Sequence, residues 1–171
     1  GLSDKWGKQK SYDTFRDRIM FPIHNSFGQT IAFSSRAILP YQKPKYYNSK
    51  DSLIFNKRYV LYGYHLANRA IKQFDQVILV EGHMDCISMH QNDIKNSVAV
   101  MGISLSERSI KILKSCSKNF ILALDSDPAG IKAMARINSD LMDNDIVPRF
   151  LDFTPYKDPD EFLIHRGKEE L

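Results

Sequence analysis

Apolar residues along this chain follow two rhythms, with the change near residue 60. Before it, two short apolar strands, "RIMFPI" and "TIAFSSRAI", flank "HNSFGQ", whose Asn, Ser and Gly suit a hairpin loop. Then "YHLANRAIKQF" has helical spacing, and an alternation begins. "QVILV" reads as a strand, "MDCISMHQN" as a helix, "SVAVMG" as a strand, and "LSERSIKILKSC" as a helix with Ser104 and Ser106 available to cap it. "NFILAL", "AGIKAMARINSDLMDN", "VPRFLDF" and "PDEFLIHRG" continue as strand, helix, strand and a short helix stopping at Gly167. Continuous apolar strands alternating with helices indicate βαβ units whose sheet is covered on both faces. The expected fold class is α/β (α+β overall): a mostly parallel sheet flanked by helices, preceded by a small β-rich subdomain. No internal repeat or low-complexity segment interrupts this order. The stretch "LPYQKPKYYNSKDS" reads as a loop, either mobile or binding, because of its Tyr, Lys and Asn content.

With 171 residues, 43% of them hydrophobic, the chain can bury a core in one domain or in a domain with a smaller companion. No run approaches the roughly 18 apolar residues of a membrane span, and "GLSDKWGKQK" is too polar for a secretory signal. A cytoplasmic protein without membrane contact is expected. Cys86 and Cys116 form no CxxC pair, so no zinc ribbon and no disulfide framework is expected, and both read as buried or bystander thiols. The net charge of +4 conceals an asymmetry: residues 1–75 carry thirteen Lys/Arg against five Asp/Glu, and residues 76–171 carry eleven against fifteen. We therefore place a domain boundary at 75/76. A basic first part attracts phosphates and an acidic second part holds divalent cations, the alternative being ordinary solvated surface charge.

Two of the apolar strands end in acid. "QVILVEGHMD" runs into Glu81, and "NFILALDSD" into Asp125 and Asp127. In a parallel sheet both are carboxyl ends of strands, where α/β folds place their ligands. Residues two apart in an extended chain point to one side, so Asp125 and Asp127 are expected to present oxygens together. Three carboxylates in one place repel unless a cation offsets them, and Mg²⁺ or Mn²⁺ suits all-oxygen ligands. The plain alternative is that these acids cap helices or face water. "KDPDEF", with Asp158 and Asp160, adds a third acidic group that by itself reads more readily as a helix cap.

The acid in "EGHMD", the DxD of "DSDPAG" and the later "DPDEF" together resemble the TOPRIM module of bacterial primases, type IA and II topoisomerases, OLD-type nucleases and recombination proteins. "FRDRIMFPI", "IAFSSR", "PKYYNSKDSLIFNK" and "LYGYHLA" narrow this to the basic amino-terminal subdomain that precedes TOPRIM in DnaG-type bacterial DNA primases. With "VAVMGISLS", the resemblance covers nearly the whole chain.

The resemblance implies a template-directed RNA polymerase that makes short primers on single-stranded DNA from ribonucleoside triphosphates in the bacterial replisome. It implies Glu81, Asp125 and Asp127 as the catalytic, metal-binding centre, with Glu81 a ligand or a metal-adjacent base, and Asp158 and Asp160 as metal-associated. It implies Arg36, Lys45, Asn48 and Lys57 as nucleotide- or DNA-binding residues, with Arg16 and Arg18 on the same basic surface. For those two arginines, ion pairs to Asp13 or Asp17 are the alternative. Tyr46 or Tyr47 offers a stacking face or serves packing.

Some positions depart from the family pattern. Ser34 and Ser35 stand where glycines are usual, which loosens the loop expected to carry Arg36, and Ile103 stands where a threonine is usual. His83, inside "EGHMD", reads as a packing or surface residue rather than a ligand. The zinc-binding domain, the helical part after TOPRIM and the helicase-binding carboxy-terminal domain have no counterpart in these residues. A primase fragment is expected, weakly active alone and contacting the replicative helicase through the missing domain. Two other readings remain: a different TOPRIM enzyme, nuclease or topoisomerase-like, and a non-catalytic nucleic-acid-binding module.

Overall fold

The computed structural model describes the backbone of residues 3–6, 10–102 and 104–171, and the side chains of residues 12–102 and 104–171. Two compact units divide between 56 and 57: Gly1–Asn56 and Lys57–Leu171. In the first, β1 (Ser3–Trp6) pairs antiparallel with β2 (Lys10–Asp13). A second sheet holds β3 (Arg18–His24), β4 (Thr30–Ala37) and β5 (Tyr46–Asn48), antiparallel and in that order. The β3–β4 hairpin turns on Asn25, whose Oδ1 accepts from the Phe27 and Gln29 amides, each at 3.0 Å. The stretch expected to be a loop at 39–52 supplies β5. Its register, Ser34↔Asn48, Ser35↔Tyr47 and Arg36↔Tyr46, lies against the most buried part of β4.

The second unit runs α1 (Tyr64–Phe74), β6 (Val77–Val80), α2 (His83–Gln91), β7 (Ser97–Ala99), α3 (Glu107–Lys114), β8 (Phe120–Ala123), α4 (Pro128–Met142), β9 (Arg149–Phe150), α5 (Pro159–Arg166). The sheet order is β7-β6-β8-β9 and every pairing is parallel. All residues of β6, β7 and β8 are buried, as strands covered on both faces require. Val77, Leu79, Val98, Leu113, Leu122, Ile137 and Leu141 form one core with Ala67 and Ile71 of α1. Each such aliphatic side chain contributes about 1.5–3 kcal/mol by leaving water. Ala67 and Ile71 are one helical turn apart, so α1 belongs with this sheet, although its sequence lies on the basic side of the charge boundary at 75/76.

The register of β6 and β8 pairs Val77 with Phe120 and Val80 with Ala123. Continuing it by one residue sets Glu81 level with Leu124, so Glu81 and the segment from Asp125 leave the sheet at one edge. Ser106 caps α3, its Oγ accepting from the Ser109 amide at 3.1 Å, which selects it over Ser104. "VPRFLDF" forms only the two-residue β9, extended by a Leu151 amide bond to the Leu122 carbonyl at 2.9 Å. Cys86 and Cys116 are both free. No helix among the described residues is long and apolar enough to cross a membrane.

Candidate functional site

Three loops at the carboxyl edge of the parallel sheet bring six carboxylates together. Glu81 follows β6, and its carbonyl accepts from the Met101 amide at 3.0 Å, which ties it to the segment after β7. Asp125 and Asp127 follow β8. Asp127 is the N-cap of α4, its Oδ1 accepting from the Ala129 and Gly130 amides at 2.9 and 2.8 Å. Asp158 caps α5 through the Glu161 amide at 2.8 Å, and Asp160 lies in the first turn of that helix. The capping alternative is thus realised for Asp127 and Asp158, while the bonds that cap α4 and α5 use only Oδ1 of each carboxyl. Close packing behind Asp125 depends on Gly130, because a Cβ there would lie 2.8 Å from the Asp125 Cβ and closer still to its carbonyl oxygen.

The electrostatics show which groups face one another. Burial, then the charges of Asp85, Glu81 and Asp158, push the Asp125 carboxyl up to about 7, with Lys157 opposing. Glu81 is raised by burial and by Asp127, again with Lys157 opposing. Glu81 therefore links the two aspartates of the DxD. Asp85 is pushed up to about 6, first by burial, while the Gly82 amide at 3.0 Å holds it down and Asp158 and Asp160 raise it further. Asp85 and Lys157 were not among the residues singled out from the sequence. The signal for Asp85 was present in "EGHMD": an acid four residues after Glu81, across the start of a helix, returns to the same edge. Lys157 is brought in by its main chain, whose carbonyl accepts from the Ser126 amide at 2.8 Å and whose amide donates to Glu161 Oε2 at 2.7 Å.

Two buried oxygens in this group, Glu81 Oε2 and Asp125 Oδ1, have no hydrogen-bond partner among the described residues. Buried polar atoms are normally satisfied, and an orphaned pair of carboxylate oxygens among like charges is the arrangement a cation relieves. Among the described residues no three His, Cys, Asp or Glu converge as a ready-made metal cage. A small hard cation that keeps several waters and needs only one or two carboxylates fits such an open donor set. His83 is buried beside Tyr62, ring centroids 5.7 Å apart, as the packing reading expected.

In the first unit, Arg18 and Arg36 sit on strands, while Arg16 and Lys45 lie in the segments just before β3 and β5. Arg36 lies within β4 between the fully buried Ser34 and Ser35 and its partner Tyr46, so the expectation of a loosened loop there is corrected. Its guanidinium lies 5.8 Å from the Tyr46 ring centroid, and Lys45 Nζ lies 5.6 Å from the same ring. Asn48 Oδ1 is buried without a partner among the described residues. Arg16 and Arg18 line a cavity of about 400 Å³ with Lys43 and Tyr47. Their guanidinium groups lie over Tyr12 and Tyr47, at 5.6 and 5.9 Å, and Arg18 Nη1 is buried without a hydrogen-bond partner among the described residues. Tyr47 also meets Phe15 edge-on, so it packs, while Tyr46 is the more exposed ring. Lys57 stands in a short 3-10 turn of the second unit.

Comparison with known proteins decides the family. The family described as "DNA primase catalytic core, N-terminal domain" matches residues 1–68, and "Toprim-like" matches residues 78–163. The chain belongs to the DnaG-type DNA primase family. A curated DNA primase of Listeria monocytogenes is 38% identical over 172 residues, covering 100% of this chain. This chain spans 28% of that primase's length. Among solved structures, the Aquifex aeolicus primase zinc-binding and RNA polymerase domains match with a TM-score of 0.89 and 35% identity, over 99% of this chain and 42% of that one. A DnaG primase catalytic domain bound to single-stranded DNA matches with a TM-score of 0.85 and 32% identity, over 99% of this chain and 55% of that one. Within the primase family frame, Ser34 and Ser35 are core positions of β4, and the Ser35 hydroxyl donates to the Tyr47 carbonyl at 3.0 Å. Ile103 lies outside the described residues.

Proposed function

We propose that this chain is the catalytic segment of a DNA primase: it contributes to template-directed synthesis of short RNA primers on single-stranded DNA by divalent-metal-dependent nucleotidyl transfer. The observation that carries the reading is that Glu81, Asp125 and Asp127 share one sheet edge, where two buried carboxylate oxygens have no hydrogen-bond partner among the described residues. Glu81, Asp125 and Asp127 would hold Mg²⁺ or Mn²⁺, with Asp158 acting on Asp125 directly and, together with Asp160, through Asp85. Cations held there would supply activation of a primer 3′-hydroxyl and charge neutralisation on the departing pyrophosphate. Asp127 keeps Oδ2 available for this because the bonds that cap α4 use Oδ1 alone. Lys157 tempers the negative charge of the group before substrate arrives.

For the basic residues the reading assigns nucleic-acid or nucleotide contact. Arg36 and Lys45, both over Tyr46, offer phosphate charge beside a stacking face, and Asn48 offers a buried amide oxygen. Arg16, Arg18 and Lys57 add positive charge for template or incoming triphosphate. Single-stranded DNA is the proposed template, in keeping with the related catalytic domain solved with that ligand. Ribonucleoside triphosphates are the proposed substrates, and the replicative helicase is the proposed partner of the whole protein in the bacterial cytoplasm.

The test is incorporation of labelled ribonucleotides on a single-stranded template by the full-length protein, native and Asp125→Asn. The substitution should abolish incorporation while circular dichroism shows an intact fold. Retained incorporation would overturn the assignment, and a nuclease product instead of a primer would favour the other TOPRIM reading.

A further inference from the structure

A cavity of about 870 Å³ in the second unit is lined by none of the carboxylates of the sheet edge. It is open and polar, with four cations in its wall: Arg58, Arg108, Lys111 and Arg136. Among the described residues of the wall, Glu107 and Asp140 are the acids that oppose them. Asp140 is committed to building the wall, since its Oδ2 accepts from the Leu105 amide at 2.8 Å and its Oδ1 faces Arg136 Nε at 3.4 Å, leaving the side chain 14% exposed. Glu107 meets Lys111 at 3.7 Å, but both ends are about three-quarters exposed or more, so an incoming anion can replace that pair at little cost. Arg108 and Lys111 are three residues apart on α3 and share a face. Tyr59, nearly half exposed, stands beside Arg58 in the rim.

Small-molecule pockets are enclosed and mainly apolar, and this one is neither. A row of cations with an exposed tyrosine is what a single strand uses: phosphates on the cations and a base on the ring. We propose that this cavity is a second contact for single-stranded nucleic acid, separate from the carboxylate edge, with Arg108 and Lys111 on phosphates and Tyr59 under a base. The choice of ligand rests on the nucleic-acid chemistry proposed above, while the test needs neither metal nor turnover.

The experiment is fluorescence anisotropy of a labelled oligothymidylate with the 171-residue chain in EDTA, titrated at several salt concentrations. The variants are R108A/K111A, Y59A, and the charge-matched control K95A/K118A, which removes two exposed lysines outside the cavity. All of these side chains are exposed, and melting curves check that each variant folds. R108A/K111A should reduce the slope of log affinity against log salt by about 1.4, at ~0.7 per phosphate contact on a single strand, and the control should not. Y59A should weaken binding about fivefold or more with the slope unchanged. The titration needs neither metal nor turnover, so a failed primase assay leaves this result standing. Equal slopes in R108A/K111A and the control, or Y59A binding within about twofold of wild type, would each overturn the proposal.

Discussion

Replacing Asp125 by Asn should make the metal-free protein more stable at neutral pH, the opposite of what loss of an ordinary structural carboxylate would do. The Asp125 carboxyl is half-buried after β8, and burial followed by Asp85, Glu81 and Asp158 moves it from the ordinary 3.8 to about 7. Its folded-state value lies above its unfolded one, so the folded state binds the proton more tightly. Stability is then greatest at low pH and is lost as pH rises from about 4 through about 7. The full interval would correspond to about 4 kcal/mol at ~1.36 kcal/mol per pH unit, a ceiling for a group that water and salt reach. Discounted for that screening, about 1–2 kcal/mol remains. Asp125→Asn abolishes the penalty, so the variant should melt about 2–8 °C above wild type at pH 8 in EDTA. The gap should shrink steadily as the pH is lowered towards 4. Adding Mg²⁺ at pH 8 should stabilise wild type and not the variant, narrowing the gap from the other side. Thermal melts across pH 4–8 measure both effects. A variant less stable than wild type at pH 8, or an offset independent of pH, would refute the reasoning.

Further substitutions separate structure from chemistry at the same edge. Asp127→Asn should retain the α4 cap and fold stability, because Asn also caps well, while Asp127→Ala should cost about 1 kcal/mol; both should weaken Mn²⁺ binding, as paired urea denaturation and metal titrations would show. Gly130→Ala should destabilise by about 1–3 kcal/mol in urea denaturation, since its methyl group would meet the Asp125 backbone. Asp85→Asn should lower the Asp125 pKa measurably in a carboxyl ¹³C NMR titration, because the Asp85 charge is the largest cause after burial; an unchanged value would show that the two do not face each other.

Much of the second unit was legible because its rules are local. The apolar runs of β6 and β8 could only be doubly covered strands, and Ser106 and Gly167 mark helix ends by their own chemistry. Glu81, Asp125 and Asp127 were legible for the same reason, as acids at the ends of apolar strands. Asp85 was hidden because it lies inside a helical stretch, where an acid reads as surface until α2 is seen to start at the sheet edge and turn it back towards Asp158 and Asp160. β5 was hidden because "YYN" lacks an apolar run and is held by pairing with β4, a long-range event. α1 lies on the basic side of a charge count, yet it packs where Ala67 and Ile71 place it, since burial outweighs surface charge. β9 fell short of its apolar stretch because only Arg149 and Phe150 pair with β8, both exposed.

The most direct test of the central claim is Mn²⁺-dependent binding of ATP, measured by calorimetry on the wild-type chain and Asp125→Asn. The account predicts binding that requires Mn²⁺ and is lost in Asp125→Asn. ATP binding by Asp125→Asn equal to wild type, or independent of Mn²⁺ in the wild type, would contradict it.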